Sequence, residues 1–187
     1  MPRKIFALVC GVVLAIGAAA AATQWRTEAK QSTVKFIGMQ AGAEFEGDFQ
    51  RFNAEIRFDP KDLTGSRFDV TLDMQSVTTQ DGERDDIIRG PDIFDVKKWP
   101  TAHFVAERFV GKGGDRYAAA GRLTIRDVTH DVPIEFTFTP GVSGAGAWLK
   151  GAAHLKRLDF GVGQGEWKDT QWVADDVRVV FALHLER

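Results

Sequence analysis

Short stretches of this chain alternate strictly between apolar and polar residues. Ala54, Ile56 and Phe58 are separated by Glu55, Arg57 and Asp59, and Phe68, Val70, Leu72 and Met74 alternate with Arg67, Asp69, Thr71 and Asp73. Val132, Ile134, Phe136 and Phe138 repeat the pattern, and Val177, Val179, Phe181, Leu183 and Leu185 carry it to the end. A period of two is that of a strand with one buried face. Less regular runs at 24–29, 32–39, 44–52, 101–110, 115–126 and 143–156 also read as extended, with turn-forming residues between most of them.

The segment 81–99 breaks the rhythm. Asp81 is placed to cap a short helix carrying Ile87 and Ile88, Gly90-Pro91 stops it, Asp92 can start a second turn, and Pro100 returns the chain to a strand. Many strands, one helical insert and no βαβ rhythm predict a closed antiparallel barrel or a sandwich. Small residues bear on that choice. Ala118-Ala119-Ala120-Gly121 and Gly144-Ala145-Gly146-Ala147, with Gly151-Ala152-Ala153 beyond, contribute little volume on either face. In a barrel of about eight strands this leaves room for one ligand; the alternative is close packing against a covering element or a bend.

The start of the chain reads as an export signal. Arg3 and Lys4 precede an uncharged run from Ile5 to Ala19, and Ala20, Ala21 and Ala22 follow, which predicts cleavage after Ala22 rather than a retained anchor. Cys10 does not make a lipoprotein signal, because Val9 before it is not small. The remainder, 23–187, is enough for one domain with a real core. It carries 22 basic against 26 acidic side chains, a formal charge of −4 that argues against nucleic acid as a partner. The single cysteine lies in the signal, so 23–187 can form no disulfide, thiolate metal site or c-type haem attachment. His103, His130, His154 and His184 have no metal-ligand spacing, and no nucleophile elbow, phosphate loop or dinucleotide fingerprint is present. No metal or cofactor is therefore expected, and His184, on the polar side of the last strand, is expected to be solvated or at an edge.

Two segments remain as candidate chemistry. Asp81, Glu83, Asp85 and Asp86 around Arg84 could pair for acid and base work, but a helix start favours acids electrostatically. Arg84 and Arg89 could pair with these acids or hold a polar or anionic lipid head at a barrel mouth. In 161–172, Trp167 and Trp172 stand in a glycine-rich polar loop, where they either cover an apolar opening, contact a membrane or partner, or cap the core from outside.

The chain resembles the YceI-like family of exported, lipocalin-like, polyisoprenoid-binding proteins. The resemblance is carried by Ser32-Thr33-Val34-Lys35-Phe36, Gly47-Asp48-Phe49, Ile56-Arg57-Phe58-Asp59-Pro60, Arg84-Asp85, and Asp92-Ile93-Phe94-Asp95-Val96 with Trp99-Pro100 and Phe104. Gly121-Arg122-Leu123-Thr124-Ile125 with Val128-Thr129, and Asp159-Phe160-Gly161, complete it. Asp127 stands where the family pattern usually has glycine, which should alter a turn only. The resemblance implies an eight-stranded antiparallel barrel holding a long isoprenoid chain, such as an isoprenoid quinone or polyprenyl phosphate, in the periplasm. The Gly163-Gln164-Gly165-Glu166-Trp167 segment resembles the branch found beside membrane cytochrome b proteins, so transient contact with the inner membrane or such a cytochrome is a further expectation, and a homodimer is left open.

The expected tunnel is lined by the apolar strand faces, including Ile134 and Phe136, with Phe36, Phe45, Phe49, Phe94, Phe104, Trp148 and Phe160. Its expected mouth is the 81–99 insert and the 161–172 loop, with Arg84 or Arg89 near the lipid head and Trp167 or Trp172 over the tail. Binding without catalysis is the leading reading. The alternatives are an accessory protein of a membrane cytochrome b or of a stress or redox response, with a solid barrel and a Trp167 and Trp172 surface that binds a membrane partner, and a lipid- or quinone-modifying enzyme using Asp85 or a histidine.

Overall fold

The computed structural model describes residues 22–141 and 146–187. All of the expected signal except Ala22, together with Gly144 and Ala145, lies outside the described residues.

Every predicted run forms a strand, and the strands close into a barrel. β1 (Gln24–Thr27) and β2 (Thr33–Gln40) share one wall position, β3 (Ala43–Phe49) and β4 (Phe52–Arg57) the next, and β5 (Arg67–Asp73) and β6 (Val77–Thr78) the third. Five long strands complete the wall: β7 (Thr101–Gly113), β8 (Arg116–Ile125), β9 (Val128–Pro140), β10 (Gly146–Lys156) and β11 (Asp176–Glu186). All pairings are antiparallel. At one end the ring runs β1–β4–β5–β7–β8–β9–β10–β11 and returns to β1 through Arg26 opposite Glu186. At the other end β11 continues to β2, β3 and β6. The wall thus has eight positions in sequence order, an up-and-down barrel of lipocalin-like form, and the sandwich is ruled out by the closing pair. Closure removes the unpaired edges that a sandwich would leave.

The 81–99 insert stands where β6 has no second strand neighbour among the described residues. Its helix, α1 (Gly82–Arg89), begins as the sequence predicts: the Asp81 carboxylate accepts the Arg84 backbone N–H at 3.1 Å, and Gly90 ends it. Beyond it, Asp92 carbonyl oxygen accepts N–H groups of Gly163 at 2.9 Å and Gln164 at 2.7 Å, so the insert and the 161–172 loop are bonded to each other.

The interior differs between the ends. Around β1, the starts of β5 and β8, and the ends of β7 and β9, aromatic rings fill the barrel. Phe58, with no exposed surface, has Phe138 at 4.9 Å, Tyr117 at 5.0 Å, Phe136 at 5.4 Å and Phe68 at 5.9 Å between centroids. Trp25 caps this cluster and donates its indole N–H to the Phe58 carbonyl at 2.9 Å. At the opposite end the inward residues Phe45, Phe104, Leu123, Leu155, Val177 and Val179 are only partly buried. They face a void.

The small residues have a more specific role than leaving space. Phe36 lies opposite Gly47, Phe45 opposite Gly38 and Phe181 opposite Gly151 across neighbouring strands, and Phe104 covers Gly121. A Cβ on Gly47 or Gly121 would collide with the ring above it, and one on Gly38 would sit 2.9 Å from Phe45. The glycines are seats that let aromatic rings lie along the wall, which lines the lumen without filling it.

Candidate functional site: an apolar cavity at one barrel end

The void is a cavity of ≈ 390 Å³ with an overwhelmingly apolar lining, open at the end carrying α1 and the 161–172 loop. Its size falls in the range of about 300–1,000 Å³ typical of small-molecule sites. Alternation places the lining: inward positions of β2, β3, β5, β7, β8, β10 and β11 supply the sides, and Phe68, Ile134 and Leu149 lie where cavity meets aromatic plug.

Of the expected tunnel residues, Phe36, Phe45, Phe49, Phe94, Phe104 and Ile134 border the cavity. Three do not. Trp148 is on the outer face of β10, because Ala147 and Leu149 on either side are each 1 % exposed and take the inward positions. Its ring instead packs on His184 at 5.0 Å and under the Lys150 ammonium at 4.9 Å. That contact also corrects the expectation for His184, whose Nδ1 is buried and has no hydrogen-bond partner among the described residues. Phe136 points inward but belongs to the aromatic plug, stacked on Tyr117 at 5.5 Å. Phe160 is buried in a 3-10 turn, Arg157–Phe160, edge-on to His130 at 5.2 Å.

At the mouth, Arg84 and Trp167 border the cavity, whereas Arg89 and Trp172 do not. Arg84 lies over the Phe45 ring at 4.9 Å, with the Asp81 carboxylate 3.8 Å away. Arg89 is committed elsewhere: its guanidinium donates to the Gln75 and Val77 carbonyls and pairs with Asp85 and Asp86, pinning α1 to β6. Trp172 is 53 % exposed beside the β2–β3 turn, where its carbonyl accepts the Ala41 N–H at 2.8 Å.

Asp85 is no candidate acid. Burial pushes its carboxyl up, but the Thr79 N–H and hydroxyl, the Thr78 hydroxyl and the Arg89 charge outweigh that and hold it below the usual carboxylate range. A carboxylate so bonded is a structural anchor. His103 is on the outer face, 2.6 Å from Asp69. Among the described residues no group of three or more potential ligands is gathered for a metal.

The residue that sequence reasoning missed is Arg157. It is 6 % exposed, borders the cavity, and donates to the carbonyls of Val162 at 2.9 Å, Val173 at 2.7 Å and Ala174 at 3.0 Å. It thereby ties the two ends of the 161–172 loop together over the opening. Burial lowers its pKa, an effect the nearby Asp175 charge opposes. Gly163, at φ 104°, is required beside it, because a Cβ there would meet the guanidinium. Arg126 makes a second tie, donating to Ile93 O of the insert at 2.9 Å and Gly161 O of the loop at 2.8 Å. The mouth is therefore a braced frame.

This architecture has relatives of known structure. BcnA of Burkholderia cenocepacia superposes with a TM-score of 0.81 at 34% identity, over 84% of this chain and 98% of BcnA. The YceI protein of Campylobacter jejuni gives 0.69 at 25% identity, over 75% and 84%. A polyisoprenoid-binding domain of Saccharophagus degradans, implicated in plant cell wall breakdown, gives 0.69 over 87% and 97%, and at 14% identity it attests the fold alone. Among sequences, a UPF0312 protein of Vibrio parahaemolyticus is 30% identical over 169 residues, 87% of this chain and 89% of the relative. The YceI-like domain model matches residues 25–185, the whole barrel, and the chain belongs to the YceI-like family.

Proposed function

We propose that the barrel binds a long isoprenoid lipid, with its tail in the cavity and its polar end at the mouth, and stores or transfers it in the periplasm without changing it chemically. The observation that carries this reading is the asymmetry of the interior: an apolar cavity open at one end and closed at the other by the Phe58 cluster. The Saccharophagus domain named for polyisoprenoid binding lends it the same fold. A solid barrel acting only through its surface is at odds with the cavity, and Asp85, the carboxylate that the enzyme alternative would use, is spent on holding α1 against Thr78 and Thr79. No metal or cofactor enters the reading.

Energetics favour a carrier. Burying methylenes from water yields about 0.8 kcal/mol each, which would make a long tail bind irreversibly. The tail starts in a bilayer as apolar as the cavity, so its transfer is nearly neutral and reversible. Met39, Ile87 and Trp172 are exposed apolar side chains at the open end, where a donor membrane would be met. The periplasmic setting rests on the charged, apolar and small-residue order of 1–22, and the exported protein should have an intact mass lacking that segment.

Organic extraction of protein purified from its native host, followed by mass spectrometry, tests the function. A stoichiometric isoprenoid lipid is expected. Protein that carries none, and that takes none up from vesicles containing isoprenoids, would end the reading.

A further inference from the structure

The ionisable groups at the cavity bear on the lipid's polar end. Five border it: Asp81, Glu83, Arg84, His103 and Arg157, and the His103 ring is turned outward onto the Asp69 carboxylate at 2.6 Å. Arg157 has its guanidinium turned onto three backbone carbonyls, with Asp175 nearby, and offers little to a ligand. Arg84 has Asp81 at 3.8 Å and Glu83 next to it in the chain, so the accessible charge at the opening is net negative. The surroundings add to this. The mouth-forming segments 81–99 and 161–172 hold eight acidic and five basic side chains, and of the basic ones Arg89 is bonded to Gln75 and Val77 carbonyls while Lys98 lies over Trp99 at 4.1 Å. At physiological salt the screening length is about 8 Å, so these charges are felt across the opening.

Uncharged donors are available in the same place. Gln40 and Trp167 border the cavity, and among the described residues neither side chain donates to a protein group. An amide and an indole N–H suit a neutral oxygen acceptor, whose removal from water costs far less than that of a phosphate.

We infer that the mouth selects against a phosphate head and takes an isoprenoid chain ending in an uncharged oxygen function, a hydroxyl or a carbonyl. This rests on the lipid-binding reading above and narrows it, since the sequence left quinone and polyprenyl phosphate equally open. Asp81 and Glu83 are the specificity-determining residues: they cancel Arg84 and repel the anion.

The test is displacement of a fluorescent apolar probe from the purified protein by geranylgeraniol and by geranylgeranyl monophosphate, which share one tail. The alcohol is expected to bind at least about tenfold more tightly, with the gap shrinking as salt is raised. In the Asp81→Asn, Glu83→Gln double variant the ratio of the two affinities should fall several-fold; asparagine caps a helix as aspartate does, so α1 is kept. A circular dichroism melt of the variant verifies that. Phosphate binding as tightly as the alcohol, or a ratio unmoved in a folded double variant, overturns the head-group inference while leaving lipid binding intact. Displacement by neither ligand overturns both.

Discussion

The two ends of this barrel are built from the same kinds of residue and do opposite things. Each end has phenylalanines on inward positions of neighbouring strands. Where Phe58, Phe68, Phe109, Tyr117, Phe136 and Phe138 meet, rings pack on rings across the axis and exclude everything else. Where Phe36, Phe45, Phe104 and Phe181 stand, each has a glycine beneath it and lies along the wall. What decides between plug and cavity is the cross-strand partner: a ring facing a ring fills the lumen, and a ring over a glycine lines it. Stability should then be concentrated at one end and binding at the other.

Truncation should separate the two most strongly. Phe58→Ala removes a ring with no exposed surface from the centre of the plug and is expected to cost about 3–5 kcal/mol. Phe45→Ala, at the cavity wall, should cost less than about 2 kcal/mol, because the ring already borders a void and has fewer contacts to lose. Denaturant unfolding of both variants measures the contrast, and equal losses would erase it.

Next in size is the mouth frame. Arg157→Met leaves three carbonyls without their donor, and local opening of 161–174 should become easier by roughly 2 kcal/mol, a rise in amide exchange of about thirtyfold. Amides of the plug should keep their protection. Loss of protection throughout the barrel would mean that the mouth is not a separate unit.

The glycine seats offer a sharper trial. In Gly121→Ala or Gly47→Ala the new methyl displaces the ring of Phe104 or Phe36 toward the lumen. Lipid affinity is expected to fall about tenfold while stability changes by less than about 1 kcal/mol. Isothermal titration and thermal melts on the same samples distinguish this from a general loss of packing.

The smallest expected effect is with pH. Asp85 has a folded pKa below its unfolded value, so its contribution is complete above the ordinary carboxylate range near 3.9 and is lost as pH falls through the depressed folded value. The attachment of α1 to Thr78 and Thr79 should therefore loosen only in strong acid, and Asp85→Asn should remove that dependence. Stability followed between pH 2 and 6 in both proteins checks the sign.

Much of this was legible in the chain, and the omissions have a common cause. Capping and stop signals placed the helix start at Asp81, and Phe36, Phe45, Phe49, Phe94 and Phe104, named beside the regular strands, border the cavity. Period-two alternation fixes which face of a strand points inward, and it marked the regular strands and Ile134. It carries no information about height along the barrel axis, which is set by register. That is why Phe136, inward as expected, proved to be part of the plug. Trp148 was misplaced because Ala147-Trp148-Leu149 is apolar on both faces, and only the pairing of β10 with β9 and β11 decides which face is in. Arg84 and Arg89, five residues apart on a helix, look equivalent until β6 supplies carbonyls to one of them. Arg157 sits between Lys156 and Leu158 with no local signal of burial, since its partners are carbonyls at 162, 173 and 174.

The central claim is that an isoprenoid tail occupies the lumen at the glycine-seated end and stops at the aromatic plug. Nuclear magnetic resonance of the methyl and aromatic side chains, recorded on lipid-free protein and after loading with geranylgeraniol, tests it directly. The account predicts large shifts at Phe104, Leu123, Val177, Val179 and Phe181, smaller ones at Phe68 and Ile134, and none at Trp25 or Phe138. Shifts centred on the outer Trp148 and His184 face, or spread evenly through the Phe58 cluster, would contradict it.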